Sequence, residues 1–108
     1  MNIYEHTYIA RPEANQKDIQ NIEKRIEDIL TKSSGKICKI EDWGLRSLAY
    51  PIKNNNKGHY RNLYLEGNNK TIKQIEEFEK FNDMIIKFLS IKVGRIPKEE
   101  SELAKEKK

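Results

Sequence analysis

The chain has 108 residues, which is enough for one compact domain and too few for two. Hydrophobic residues make up 36% of the sequence and charged residues 35%, so we expect a small core beneath a heavily charged surface. The net charge of +4 is equally compatible with nucleic-acid binding and with a merely solubilising surface.

The cysteine content and the hydropathy pattern bear on the compartment. Cys38 is the one cysteine, so a disulfide within the chain is excluded and a reducing compartment is indicated. Residues 1–12 show no basic region followed by an apolar run, which is the pattern of a secretory signal. No apolar run approaches the roughly 18 residues of a membrane span. We therefore expect a soluble cytoplasmic protein.

The first predicted elements are a strand and a helix. Residues 3–10 are rich in β-branched and aromatic side chains and precede Arg11-Pro12, which predicts a strand. Asn15 is a good N-cap, and from Ile19 onward apolar residues recur at helical spacing. Together with the stop signal at Gly35, this pattern predicts an amphipathic helix over about Gln16 to Ser33.

A hairpin follows. Lys36 to Tyr50 is predicted to be a long strand, and His59 to Glu66 alternates as a second strand. The residues between Lys53 and Gly58 favour turns and predict a basic, flexible tip. Pro51 cannot donate a ladder hydrogen bond, so the end of the first strand should lie near it.

The spacing of residues within the hairpin predicts irregular strands with two distinct faces. Ile37 and Ile40 are three residues apart, so a bulge or twist between them would be needed to place both on one face. Gly44 within a strand pattern also indicates a bulge or bend. In the second strand, alternation separates two sets of side chains: Tyr60, Asn62 and Tyr64 on one face, and Arg61, Leu63 and Leu65 on the other.

The last part of the chain contains a helix, a strand and a tail. Asn69 is a candidate helix cap, and Met84 to Val93 is a predicted strand that Pro97 brings to an end. Residues 97–108 are a charged tail that we expect to be mobile, and residues 1–96 are predicted to form a single domain. The helix that Asn69 would cap has a predicted apolar stripe of Ile72, Ile75, Phe78 and Phe81.

The order of elements is strand, helix, strand, strand, helix, strand. Right-handed crossovers then give an α+β, ferredoxin-like fold with a four-stranded antiparallel sheet, strand order two, three, one, four, and both helices on one face. The other face of the sheet is left uncovered by the chain. Exposed aromatic or basic residues on that face would be candidates for binding.

No catalytic, metal-binding or cofactor-binding motif is present. His6 and His59 lie on separate predicted strands without a nucleophile motif nearby. Basic and aromatic residues on the strands suggest RNA binding instead, through phosphates and unpaired bases. The stretch from Lys57 to Tyr64 nevertheless fits the signature of RNA-recognition domains at only three positions, so a domain of that kind is not predicted.

Several short motifs carry a family resemblance. They are Ile3-Tyr4-Glu5, Gly44-Leu45-Arg46, Leu48-Ala49-Tyr50-Pro51-Ile52, Gly58-His59-Tyr60 and Phe81-Asn82-Asp83. Over about residues 1–95 the chain resembles the bacterial small-subunit ribosomal protein S6 family.

The resemblance implies a structural, non-enzymatic component of the cytoplasmic ribosome. It implies two partners, the central domain of small-subunit ribosomal RNA and small-subunit ribosomal protein eighteen, with no cofactor, no small-molecule substrate and no membrane. His6 stands where the family is often aliphatic or aromatic, which indicates a core substitution rather than a contact. The residues implied in contacts are Arg46, Leu48, Tyr50, Lys53, Tyr60, Asn62, Tyr64, Lys87, Lys92 and Arg95.

An alternative of a different class is a ferredoxin-like ligand-sensing or regulatory dimerisation domain, because uncovered sheets often pair. An acylphosphatase-like enzyme is disfavoured, since Arg11-Pro12-Glu13 supplies an arginine but no glycine-rich anion cradle.

Overall fold

The computed structural model describes residues 2–98 and confirms the predicted fold class. The sheet is antiparallel with strand order β2-β3-β1-β4. Most of the predicted tail, residues 99–108, lies outside the described residues. The elements are β1 (Asn2–Ala10), α1 (Gln16–Lys32), β2 (Lys36–Ile52), β3 (Asn55–Gly67), α2 (Asn69–Lys80) and β4 (Ile85–Val93).

Helix α1 begins as its sequence predicts. Asn15 and Asp18 form a reciprocal capping box, with both side chain–backbone distances at 2.9 Å. The box satisfies backbone N–H groups that have no partner within the helix. The apolar stripe packs onto the sheet and contains the buried residues Ile19, Ile22, Ile26 and Leu30.

Helix α2 differs from its prediction at both ends. Its N-cap is Asn68 rather than Asn69, because the Asn68 side chain accepts the Thr71 N–H at 2.8 Å. At the other end, Phe81 is the C-cap and is 75% exposed, so its predicted place in the apolar stripe is wrong. Glu79 is buried in the last turn instead.

Strand β2 contains the irregularities that its spacing predicts. Its register against β3 shifts between Ile37 and Lys39 and again between Asp42 and Gly44. The first shift leaves Ile37 and Ile40 opposite buried leucines of β3, on the face that the helices cover. At the second, Gly44 has a φ of 79°, which is a conformation that glycine adopts without steric cost.

The hairpin is longer and its turn tighter than predicted. Lys53 and Asn54 form the turn with φ values of 49° and 66°, and β3 already starts at Asn55. The predicted flexible loop up to Gly58 is therefore mostly strand. Since β1 pairs with β3 only from His59 onward, residues 46–57 extend past the sheet as a two-stranded ribbon, here called the hairpin arm.

A polar network joins the sheet to α1 on the helix-covered face. Arg61 donates from Nε and Nη2 to the two carboxylate oxygens of Glu23, both at 2.7 Å. The Tyr8 hydroxyl donates to the same carboxylate at 2.7 Å, and Asp42 lies 3.5 Å from Arg61 Nη1. Burial alone would lower the pKa of Arg61, but the Glu23 carboxylate raises it above its ordinary value. Arg61 is therefore held as a cation that ties β3 to α1.

His6 occupies the core, as its departure from the family pattern predicts. Its side chain is fully buried between α2 and β4, where it contacts Glu79 and Ser90. It is therefore a packing residue and has no surface for a contact with a partner.

We expect Gly58→Ala to destabilise the domain by about 1–3 kcal/mol, because the added Cβ would overlap Ile9 Cγ2 and approach the Ala10 carbonyl oxygen at 3.1 Å. Urea unfolding followed by the fluorescence of Trp43, the one tryptophan, measures the change. Gly94→Ala is the matched control, since a Cβ there meets nothing within 4 Å and should cost less than about 0.5 kcal/mol. Equal stabilities of the two variants would contradict this packing.

We expect Arg61→Ala to cost about 2–4 kcal/mol of unfolding free energy, because it leaves the largely buried Glu23 carboxylate without its cation. Arg25→Ala removes an exposed guanidinium from the same helix as Glu23 and should cost less than about 0.5 kcal/mol. Chemical denaturation of both variants at neutral pH makes the comparison. A loss no greater than that of the control would show that the network contributes little.

Candidate functional site

Positive charge is concentrated in two stretches of the sequence. Residues 43–65 contain four Lys or Arg and no Asp or Glu, and so do residues 84–98. The helices are balanced, with four basic and four acidic residues in α1 and three of each in α2. The basic surplus therefore lies on the hairpin and on β4 with its following segment, and the helical layer is neutral.

The face of the sheet opposite the helices presents the predicted set of side chains. Tyr60, Asn62 and Tyr64 lie opposite Ile9, Thr7 and Glu5 of β1, and cross-strand neighbours share a face. The alternate residues Leu63 and Leu65 are in the helix-covered core. The predicted division of β3 into two faces is confirmed.

The centre of this uncovered face is a hydrogen-bonded polar row. Thr7 Oγ1 donates to Asn62 Oδ1 at 2.7 Å, and the Tyr64 hydroxyl donates to Glu5 Oε2 at 3.1 Å. Asn62 and Tyr64 are both buried, and burial, followed by the Glu5 charge, raises the pKa of Tyr64. Both residues are held by neighbours and present little surface, whereas Tyr60 is half-buried.

A second cluster lies beside this row on β2, and nothing in the sequence pattern indicates it. Lys39 Nζ lies 3.1 Å from Glu41 Oε2 and 5.9 Å from the centre of the Tyr64 ring. Trp43 Nε1 donates to the other Glu41 oxygen at 2.9 Å. Lys39 also donates to the Pro97 carbonyl oxygen at 3.0 Å, so the segment after β4 passes over part of this face. The prediction that the chain leaves the whole face uncovered is therefore wrong at this end, and the name uncovered face is kept for the side opposite the helices.

The hairpin arm carries four of the predicted contact residues. Arg46 lies at its base, where Nε donates to the Trp43 carbonyl oxygen at 2.9 Å. Leu48 is half-buried, Tyr50 is 63% exposed and Lys53 is exposed in the turn. Lys57, which is also exposed, lies opposite Ser47 in the other strand of the arm.

The remaining predicted contacts lie on or after β4, and the structure separates them. Lys87 is exposed on the uncovered face, together with Leu89 and Ile91, which are 57% and 48% exposed. Lys92 lies opposite Tyr4 and therefore on the helix side of the sheet. Arg95 is exposed in the segment that follows the strand.

The predicted site thus divides into a cationic arm, a polar row and an edge strand. That these ten residues contact RNA or a partner protein remains a prediction.

His59, in the sheet beside the base of the arm, contacts the Pro12 carbonyl oxygen through Nε2 at 3.0 Å. Across residues 2–98, no group of three or more His, Cys, Asp or Glu is arranged to hold a metal ion. None of the helices in that part of the chain is long and apolar enough to cross a membrane.

Comparison with known sequences supports the resemblance. The family model described as ribosomal protein S6 matches residues 3–92. The small ribosomal subunit protein bS6 of Rickettsia felis is 40% identical over 105 residues, which cover 97% of this chain and 87% of that protein. The bS6 of Nitrobacter hamburgensis is 36% identical over 93 residues, covering 86% of this chain and 63% of the longer relative.

Comparison with solved structures gives the same family. The crystal structure of 30S ribosomal protein S6 from Thermotoga maritima matches with a TM-score of 0.76 and 29% identity. The match covers 85% of this chain and 87% of that one. The chain therefore belongs to the ribosomal protein S6 family, and it is a structural protein of the small ribosomal subunit and not an enzyme.

Proposed function

We propose that this protein binds the central domain of small-subunit ribosomal RNA together with ribosomal protein eighteen. The observation that carries the proposal is the placement of charge: the two stretches without any acidic residue, 43–65 and 84–98, contain the hairpin arm and β4, on either side of the uncovered sheet face. The identity of the RNA domain and of the partner protein comes from the family resemblance. The charge placement supports a joint binding surface.

The hairpin arm has the chemistry of an RNA contact. Lys53 is exposed in the turn and Lys57 is exposed nearer the base, opposite Ser47, and both can neutralise phosphates without a competing carboxylate in the arm. Tyr50 is exposed on β2 between Ser47 and the turn, where its ring can stack on an unpaired base. Recognition of this kind depends on RNA shape and phosphate positions more than on base sequence.

The edge formed by β4 has the chemistry of a protein contact. Leu89 and Ile91 are exposed next to each other on the uncovered face, beside the buried polar row. An apolar pair on a sheet edge gains free energy when a partner covers it. Arm and edge lie at opposite sides of the sheet, so RNA and protein can be held at the same time.

Binding of the full chain to a central-domain RNA fragment, with and without ribosomal protein eighteen and at two salt concentrations, tests the proposal. We expect tight, strongly salt-dependent binding when the partner is present. No binding in either case, together with formation of a homodimer, would favour the ligand-sensing or dimerisation alternative.

We expect the double change Lys53→Gln and Lys57→Gln to weaken RNA binding and to reduce the slope of log affinity against log salt by about 2, because each lysine that no longer neutralises a phosphate lowers the slope by about 1. Filter binding over a salt series gives the slope. Lys17→Gln with Lys24→Gln removes the same charge from the exposed face of α1 and serves as the control. An equal reduction of the salt slope in the two double variants would mean that only the net charge of the protein matters.

We expect Leu89→Ser with Ile91→Ser to reduce the gain in RNA affinity that ribosomal protein eighteen provides, while the salt slope stays unchanged. The two substitutions remove apolar surface that the partner would cover, and they leave every basic side chain in place. Calorimetric titration with the partner protein measures this binding directly. Phe81→Ser, at an exposed apolar residue on the helical side, is the control, and a loss of partner binding in that variant alone would place the protein contact on the helices.

A further inference from the structure

A row of three contacting side chains, two of them fully buried, connects three elements of the core. His6 on β1 lies with Nε2 2.6 Å from Glu79 Oε1 on α2, and both side chains are 0% exposed. The other ring nitrogen, Nδ1, lies 2.7 Å from the Ser90 hydroxyl on β4. The proposed RNA and protein contacts use none of these three residues.

The surroundings of Glu79 disfavour a bare carboxylate. Its Oε2 has no hydrogen-bond donor among residues 2–98, and the contact at Oε1 is close without the directionality of a well-formed hydrogen bond. The rings of Tyr8 and Phe88 flank His6 at 6.5 Å. Burial raises the pKa of Glu79 above its ordinary value, although His6 acts in the opposite direction.

We propose that His6 and Glu79 bind one proton as a unit and that this proton holds helix α2 against β1 and β4. With one proton, the pair is neutral overall, either as an ion pair or as two neutral groups. Without it, the core would contain an uncompensated carboxylate, and with two protons an uncompensated imidazolium. Both of those states are costly at a fully buried position.

The charged groups around the pair do not replace this proton. Glu76, on the same helix, adds negative potential and further disfavours a charged Glu79. Tyr8 on β1 donates to Glu23 of α1, and that carboxylate is already neutralised by Arg61 of β3. From β4 the pair meets Ser90 and Phe88, which carry no charge.

The expected dependence of stability on pH follows from proton counting. In the unfolded chain a histidine titrates near about 6.5 and a glutamate near about 4.3, so between these values the folded and unfolded chains hold the same single proton. Above about pH 6.5 the unfolded chain has lost it and the folded pair has not, so stability falls as pH rises. Below about pH 4.3 the unfolded chain takes up a second proton, and stability falls as pH drops.

This arrangement is not a hydrolytic Ser-His-Glu triad. His6 and Glu79 have no exposed side-chain surface, so no substrate carbonyl can reach the imidazole. The consequence of the shared proton is conformational, because this proton decides how firmly α2 is attached to the sheet.

Urea unfolding of the full chain between pH 5 and 9 tests the proposal, with Glu79→Gln as the informative variant. We expect the wild-type unfolding equilibrium constant to rise by up to about tenfold per pH unit above pH 7, relative to the variant. In the variant, a neutral His6 can donate to Gln, so its stability should instead be constant above pH 7 and fall below about pH 6.5. Glu77→Gln, at an exposed position of α2, should follow the wild type.

Nuclear magnetic resonance of the wild-type protein decides the matter even where the variant does not fold. We expect the carboxyl carbon of Glu79 and the imidazole carbons of His6 to change together in one step. Separate transitions near about pH 4.3 and 6.5 would overturn the proposal, and so would parallel unfolding curves for the wild type and Glu79→Gln.

Discussion

Two helices cover one face of a four-stranded sheet, and the register of the strands decides which side chains lie beneath them. A shift of one residue would exchange the two faces, moving leucines to solvent and tyrosines into the core. The bidentate contact between Arg61 and Glu23 fixes one point of this register, because Arg61 reaches α1 only from the helix-covered face. In β2, the bulges at Cys38 and Trp43 reset the alternation so that Ile37, Ile40 and Leu45 all lie on the helix-covered face.

Much of this arrangement could be predicted from local pattern. Strict alternation in β3 was enough to assign Tyr60, Asn62 and Tyr64 to the uncovered face, and the three-residue spacing of Ile37 and Ile40 was enough to predict a bulge. Helix α1 has both a capping box and a continuous apolar stripe, so its limits were predicted within one residue. These features depend on neighbours in sequence, which is why the sequence alone reveals them.

Other features depend on partners that are distant in sequence, and they could not be predicted. Glu79 looks like a surface residue because its partner, His6, is 73 positions away on β1. Asn54 and Asn55 both favour turns, yet only Asn54 lies in the turn, because Asn55 pairs with Ile52 across the hairpin. The burial of the candidate contact Asn62, and the cluster of Lys39 and Glu41 beside it, follow from neighbours across the sheet, which composition does not reveal.

The hairpin arm has a mechanical consequence. Beyond the end of β1, β3 contributes only residues 55–57 to the arm, and at roughly 3.3 Å per residue these span about 10 Å. Strand β2 takes residues 46–52 over the same distance, with a register shift between Ser47 and Ile52. A two-stranded ribbon is only marginally stable by itself, and no third strand among residues 2–98 pairs with the arm. The tip can therefore bend relative to the body at little energetic cost. Its lysines can follow a phosphate backbone of uneven shape while the four-stranded part of the sheet stays rigid.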